Sequence, residues 1–184
     1  MNNAEDLATP QSVLAFWRAG GPDKWFEKDV GFDAEINRRF RGTYEAAAAG
    51  ELPWDENPQG ALALVIVLDQ FPRNMFRDSA RAFATDPLAH EVASRAIARG
   101  FDQLIPLAER MFFYLPFEHS EDLADQERSV ALNRASGDAD ATKWAELHAD
   151  IIRRFGRFPH RNAVLGRVTT AEEQAFLDSG GFAG

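Results

Sequence analysis

The sequence predicts an all-α protein, an irregular bundle of about seven to nine helices that forms one domain over residues 1–184. Proline and glycine stand where helices typically begin and end, and apolar residues recur at helical spacing between them. No linker, low-complexity tract or composition break divides the chain. These observations together favour helices joined by short connections.

The first part of the chain contains two predicted helices. Thr9 and Pro10 open the first of them, and the pair Gly20-Gly21 ends it. The second ends at Gly50 and carries large side chains at intervals of four, which places them on one face of a helix: Phe32, Ile36, Phe40 and Tyr44. We expect this face to be core.

The most apolar segment runs from Ala61 to Leu68, and its pattern alone does not distinguish a buried strand from a buried helix. Asn57 and Pro58 form a helix-entry signal just before it, and no second strand is available for pairing. We therefore predict a helix at the centre of the bundle that ends at Pro72, because proline interrupts a helical path.

Four further helices are predicted in the rest of the chain. Their ranges are Asp86 to Gly100, Glu121 to Ala135, Asp140 to Phe155, and Thr170 to Gly180, the last opened by a capping box of Thr170 and Glu173. The third is the most clearly amphipathic and has the following apolar stripe: Trp144, Leu147, His148, Ile151, Ile152 and Phe155.

The composition excludes several classes of partner and site. A net charge of −9 and a pI near 4.9 repel phosphate backbones and anionic bilayers, so neither nucleic acid nor a membrane is expected as a partner. The absence of cysteine excludes disulfides and thiolate sites and is compatible with a soluble protein in a reducing, cytoplasmic compartment. The acidic start, Met1 to Asp6, lacks the features of a targeting segment.

The short motifs that define common enzyme classes are missing. The sequence contains no G-x-S-x-G, no G-x-x-x-x-G-K-[ST], no G-x-G-x-x-G and no H-E-x-x-H. No cofactor is therefore expected, and the question of enzymatic activity stays open.

A Phe-Pro pair followed by Arg-Asn occurs twice, in Phe71–Asn74 and in Phe158–Asn162. In one interpretation Asn74 and Asn162 cap short turns, and the neighbouring arginines are solvated or ion-paired. In the other, the arginines converge on a concave surface and hold an anion, because a guanidinium matches the geometry of carboxylate and phosphate.

Two charge runs of opposite sign follow in the second half. Residues 153 to 167 contain five arginines and no acid, whereas residues 118 to 127 contain five acids and no lysine or arginine. The structural interpretation pairs the two runs across a helix contact and makes His119 or Ser120 the cap of the next helix. The functional interpretation places them around a site, where partly buried pairs would have perturbed pKa values.

Metal binding is not predicted, although oxygen and imidazole ligands are present at Glu118, His119, Glu121 and His160. Glu118 and His119 are neighbours and cannot face one centre from the same helical face. The Glu-x-x-His motif of di-iron bundles is missing as well. His148 lies inside an apolar stripe and is expected to be a hydrogen-bonded core residue.

Several phrases together resemble the family of bacterial and fungal proteins known as domain of unknown function 924. The phrases are Leu68–Asn74, Phe112–Glu121, Pro159–Asn162 and Leu165–Arg167, within a resemblance that extends from Val13 to Leu177. The resemblance implies an all-helical fold similar to tetratricopeptide-like superhelices. It implies no particular reaction.

Three functional hypotheses follow. The first is a binding module for a small anionic ligand or a peptide carboxylate, with a polar site formed by Arg73, Asn74, Arg77, Glu118, His119, His160, Arg161 and Asn162. The second is a hydrolytic enzyme in which Glu118, His119 or His160 acts as acid or base and Arg161 stabilises an anionic transition state. The third is a protein–protein interaction scaffold in which the polar phrases only hold helix ends together.

Overall fold

The computed structural model describes residues 7–182, and over this range it contains helices and loops without a β-strand. The all-α prediction is confirmed, and seven helices in this range are eight residues or longer. The tetratricopeptide-like arrangement stays a prediction. The N-terminal segment from Met1 to Asp6, in which we expected no targeting signal, lies outside the described residues. None of the described helices is long and apolar enough to cross a membrane.

The chain divides into two compact units. Among the described residues, the first unit comprises 7–77 and 81–113, and the second comprises 78–80 and 114–182. The prediction of a single domain stays a prediction. The first unit contains α1 (Pro10–Gly20), α2 (Pro22–Trp25), α3 (Val30–Ala48), α4 (Pro58–Val65), α5 (Phe71–Met75), α6 (Asp86–Ala98) and α7 (Leu107–Arg110). The second contains α8 (Leu115–Glu118), α9 (Leu123–Ser136), α10 (Ala139–Phe155) and α11 (Ala171–Asp178).

The helix-entry signals read from the sequence form the hydrogen bonds expected of them. The side chain of Thr9 accepts from the Ser12 amide at the start of α1. At α11 the capping box is complete, because Thr170 Oγ1 accepts from the Glu173 amide at 3.2 Å and Glu173 Oε2 accepts from the Thr170 amide at 2.7 Å.

The core of the first unit is built on α3 and α4. The predicted face of α3 is buried, and α4 is buried from Gly60 onward, as a helix that is apolar on all sides requires. The rings of Phe40 on α3 and Phe71 on α5 lie 5.0 Å apart. The choice of helix over strand for Ala61 to Leu68 is therefore confirmed.

The prediction that this helical path ends at Pro72 is wrong. After α4 the chain makes a π-helical turn over Ile66–Gln70, and α5 then continues with Pro72 in its first turn. In a regular α-helix the proline ring would meet the Leu68 carbonyl, which would also lose its amide donor. The wider turn accommodates the proline, and Thr85 Oγ1 donates a 2.6 Å hydrogen bond to the Leu68 carbonyl.

In the second unit α9 and α10 pack side by side, and the buried face of α10 coincides only in part with the predicted stripe. Trp144 and Leu147 belong to the predicted stripe but are 52% and 38% exposed. The face turned inwards carries Ala141, Ala145, His148, Ala149, Ile151 and Ile152. Small alanine side chains allow close packing of two helices, so they displace the larger apolar residues from the contact.

The start of α9 also differs from the prediction. Asp122 is the N-cap, and its carboxylate accepts from the Ala124 amide at 2.7 Å. Ser120 supports this turn by accepting from the Asp122 amide at 3.1 Å. The assignment of the cap to His119 or Ser120 is therefore wrong, because the aspartate closer to the helix takes the position.

Candidate functional site

The first arginine of the Arg-Asn phrase in the first unit is bound by carboxylates of the same unit. Arg73 donates to both carboxylate oxygens of Asp86, at 2.8 and 3.0 Å, and to the backbone oxygen of Asp69 at 2.6 Å. Burial lowers the pKa of Arg73, but the charges of Asp69 and Asp86 outweigh it and raise the pKa above its ordinary value. Carboxylate and carbonyl oxygens of the same unit therefore bind the guanidinium of Arg73 without any ligand.

The other two polar residues of this phrase converge on one carboxylate. Asn74 Nδ2 donates to Asp33 Oδ1 at 2.7 Å, and Arg77 binds both oxygens of the same aspartate. Asp33 lies in the first turn of α3. The expected role of Asn74 as a cap is therefore wrong, since its side chain joins two helices.

The second Arg-Asn phrase lies in the second unit and forms a different network. Arg167 donates to both oxygens of Glu121, at 2.7 and 3.0 Å, and to Asn162 Oδ1 at 2.9 Å. Burial raises the pKa of Glu121, but the bonds from Arg167 and from the Phe158 amide lower it below its usual value. The predicted pairing of the acidic and basic runs is confirmed at this pair.

Asn162 and Arg157 both reach Glu173 on α11. Asn162 Nδ2 donates to Glu173 Oε2 at 3.2 Å, so Asn162 is also a bridging residue and not the predicted cap. Hydrogen bonds from Arg157 outweigh burial and, with that from the Thr170 amide, lower the pKa of Glu173 to about 2. This network fixes the loop between α10 and α11.

A buried acid and histidine meet between α8 and α10. Glu118 Oε1 lies 3.0 Å from Nδ1 of His148, and the same nitrogen lies 2.8 Å from the Trp144 carbonyl oxygen. Both side chains are buried. His148 is the hydrogen-bonded core residue that the sequence predicted, but it is also the partner of Glu118, a contact that no pattern in the sequence predicts. In the sequence, this role of His148 is indicated only by the presence of a polar residue on an otherwise apolar helical face.

His160 and Arg161 follow in a short 3-10 turn, Pro159–Arg161. Nδ1 of His160 is buried without a hydrogen-bond partner among residues 7–182. Burial, together with the charges of Arg161 and His148, lowers the pKa of His160 to about 3, so the ring is neutral at neutral pH. Arg161 is buried, donates to the His119 carbonyl oxygen at 3.0 Å, and lies 4.5 Å from the Phe158 ring centre.

We call these five residues of the second unit the histidine cluster: Glu118, His119, His148, His160 and Arg161. The charges of His148, His119 and Arg161 all act on His160, which places each of these residues within electrostatic reach of His160, and Glu118 joins the cluster through its contact with His148. Among the described residues, no three His, Asp or Glu side chains are arranged to hold a metal ion.

A separate groove runs along α9 and α10. Its volume is about 450 Å³, and it is lined by Glu127, Val130, Ala131, Arg134, Glu146, Asp150 and Arg153. Arg134 pairs with Glu146 and Arg153 with Asp150. None of the residues predicted to form a site lines this groove.

The chain is similar to proteins described as having unknown function. A family model described as "Bacterial protein of unknown function (DUF924)" matches residues 13–181. A solved structure of a protein of unknown function from Agrobacterium tumefaciens is 49% identical, with a TM-score of 0.90, and the match covers 92% of this chain and 97% of that one. No curated protein matches the chain. These similarities agree with the resemblance seen in the sequence and add neither a ligand nor a reaction.

Proposed function

The chain belongs to the bacterial family of unknown function DUF924, and from its own geometry we propose that it is a binding protein whose ligand presents an anionic group to the histidine cluster. The ligand is a small carboxylate or phosphate, or a peptide carboxylate. The observation that carries the proposal is the buried Nδ1 of His160, which has no hydrogen-bond partner among the described residues.

An imidazole nitrogen left without a partner in a buried position is costly, and native proteins rarely retain one. His160 is neutral at neutral pH because its pKa is lowered to about 3, so one ring nitrogen carries a proton and the other does not. The tautomer with a proton on Nδ1 can donate to an oxygen of an anionic ligand. Such a bond would satisfy the buried atom and would account for a histidine at this position.

Arg161 supplies the positive charge for the same ligand. Its guanidinium lies 4.5 Å from the centre of the Phe158 ring, and the His160 ring lies 5.6 Å from the same centre. Packing against an aromatic ring restricts a guanidinium, which reduces the entropy lost when it binds a carboxylate or phosphate. The two neighbouring residues can therefore act on one anionic group.

The first Arg-Asn phrase is a weaker candidate for this role. An anion at Arg73 would have to compete with Asp86, and an anion at Arg77 would have to compete with Asp33. Each of these arginines already holds a carboxylate with two hydrogen bonds. The proposal therefore rests on Nδ1 of His160 in the second unit, which has no hydrogen-bond partner among residues 7–182.

The test is a thermal-shift titration with inorganic phosphate and with acetate. We expect both anions to raise the melting temperature of the wild type, by mass action. His160→Phe replaces the imidazole with an aromatic ring that has no nitrogen. Arg161→Lys keeps the positive charge but replaces the planar guanidinium with an ammonium group. Because a hydrogen bond to a charged group contributes about 1.5–3 kcal/mol, each variant should lose about tenfold or more in affinity.

The matched control is Arg154→Lys, which alters an exposed arginine of the same basic run. It should respond to anions as the wild type does. The proposal is refuted if neither anion stabilises the wild type, or if all three variants respond equally.

A second function, acid–base catalysis, is favoured by the contact between Glu118 and His148. A carboxylate bound at Nδ1 orients an imidazole and leaves Nε2 to accept or donate a proton, as in hydrolytic enzymes. The geometry thus favours His148 over His119 as the partner of Glu118.

This second function is tested by the hydrolysis of p-nitrophenyl acetate and p-nitrophenyl phosphate. Glu118→Gln and His148→Gln should each reduce the turnover by about 100-fold if the pair performs general acid–base catalysis. His90→Gln, which alters a histidine of the first unit, is the control. Equal rates in all variants would exclude the pair as the catalyst.

A further inference from the structure

The ring of Phe182 contacts two of the three imidazoles of the histidine cluster, those of His148 and His160. Its centre is 4.5 Å from that of His148 and 5.3 Å from that of His160, and both contacts are edge-to-face. Trp144 lies 6.5 Å away, and Phe158 contacts both histidine rings at 5.6 Å. Phe182 therefore contacts the rings of Trp144, His148 and His160 and packs against the apolar cluster that contains Phe158, and we call the space that it occupies the slot.

Two glycines direct the chain into this position. After α11, Gly180 adopts a φ of 78°, a left-handed conformation that other residues rarely adopt. At Gly181 a Cβ atom would lie 2.6 Å from the backbone oxygen of Phe176, so a side chain is excluded there too. The Gly181 amide donates to that same oxygen at 3.0 Å. The position of Phe182 is thus specified by the sequence of the turn.

Phe182 matches the shape of the slot but not its polarity. A phenyl ring can neither accept from nor donate to Nδ1 of His160, which has no hydrogen-bond partner among residues 7–182. The ring is half-buried and follows the last helix, α11. Edge-to-face contacts are individually weak, so the ring can leave the slot without a helix unfolding.

We propose that the slot is the binding site for the ring of an aromatic anion, and that Phe182 occupies it when the ligand is absent. The inference rests on the proposed function and gives its ligand class: a ring for the slot, and a carboxylate or phosphate for His160 and Arg161. Ligand binding displaces Phe182, so the closed form of the slot lowers the apparent affinity.

The test compares phenyl phosphate with inorganic phosphate by isothermal titration calorimetry. We expect the wild type to bind phenyl phosphate more tightly. If Phe182 fills the slot in nine molecules of ten, Phe182→Ala should bind phenyl phosphate about tenfold more tightly than the wild type, with no change for inorganic phosphate. Phe182→Leu, which keeps an apolar side chain without the ring, gives a second, less disruptive variant. Phe26→Ala, which alters an exposed phenylalanine of the first unit, is the control.

The outcomes separate the two proposals. If both anions bind equally in the wild type, Phe182→Ala and Phe182→Leu, and both depend on His160, the slot is refuted and the proposed function stands. If neither anion binds to any of the three proteins, the proposed function fails and the inference fails with it. If neutral benzyl alcohol binds Phe182→Ala as tightly as phenyl phosphate does, also after His160→Phe, the slot is merely apolar and the anionic ligand class is overturned.

Discussion

The hydroxyl of Thr85 donates a 2.6 Å hydrogen bond to the backbone oxygen of Leu68, the carbonyl that Pro72 leaves without its helical donor. Both residues are buried. The side chain of Thr85 thereby replaces an amide inside the core of the first unit. The π-helical turn and α5 can follow one another in this apolar environment because the buried Leu68 carbonyl accepts a hydrogen bond.

Thr85→Val should destabilise the protein although the two side chains have nearly the same shape. The substitution removes a hydrogen bond to a buried carbonyl oxygen, which costs about 1–3 kcal/mol of unfolding free energy. Urea unfolding monitored by circular dichroism measures the difference. Thr142→Val removes a 2.6 Å bond to the Asp138 carbonyl in a partly buried position, where water can replace it, and should cost about 0.5 kcal/mol or less. Equal losses in the two variants would contradict the role of Thr85.

Gly60→Ala should be the more severe of two glycine substitutions in helices. An added Cβ at Gly60 would lie 2.0 Å from the backbone oxygen of Trp54, so the loop before α4 must move. We expect a loss of about 3 kcal/mol, as in strongly overpacked sites. Gly31→Ala is the control, because its Cβ meets only the Asp29 carboxylate at 3.2 Å and alanine favours the helix. A stable Gly60→Ala variant would show that the loop adapts freely.

Local patterns in the sequence predicted the helices well. The features that the sequence did not predict depend on contacts between helices. The caps at Thr9, Asn57 and Thr170 depend on neighbouring residues, and each was visible as a short pattern. The exposure of Trp144 depends on the alanine face of α10 and on α9, which no local pattern contains. The passage through Pro72 depends in the same way on Thr85, a residue 13 positions further along.

The same distinction applies to the candidate site. The phrases that contain Glu118, His160 and Arg161 were recognised as polar residues at helix ends, and all three belong to one cluster. The sequence predicts only that His148 is a hydrogen-bonded core residue, because its contact with Glu118 arises only when α8 packs against α10. The role of Asp33 as the acceptor for Asn74 and Arg77 was equally invisible, since it is 41 positions from the first and 44 from the second.

His160 should make the stability of the protein depend on pH in the mildly acidic range. Its pKa is lowered to about 3 by burial and by neighbouring positive charge, whereas an unfolded histidine titrates near about 6.5. Between these values the unfolded chain binds a proton that the folded chain does not. The stabilisation is therefore complete above pH 6.5 and decreases as the pH falls towards 3.

Urea unfolding at pH 7.5, 6 and 5 measures this dependence. Between pH 6.5 and 5 the contribution of His160 should fall by about 1–2 kcal/mol, and His160→Phe should remove that part of the slope. His90→Gln should retain it. A His160→Phe variant with the full slope would assign the pH dependence to other groups.

Asp33→Asn tests whether the first Arg-Asn phrase can bind an anion once its internal carboxylate is neutralised. The asparagine no longer compensates the charge of Arg77, and we expect a loss of about 1–3 kcal/mol. The side chain of Arg77 is 31% exposed, so phosphate can reach it and should recover part of the lost stability. Melting temperatures with phosphate and with chloride at equal ionic strength measure the effect. The double variant Asp33→Asn/Arg77→Gln should lose this recovery, and an equal phosphate response in all three proteins would leave the phrase with a purely structural role.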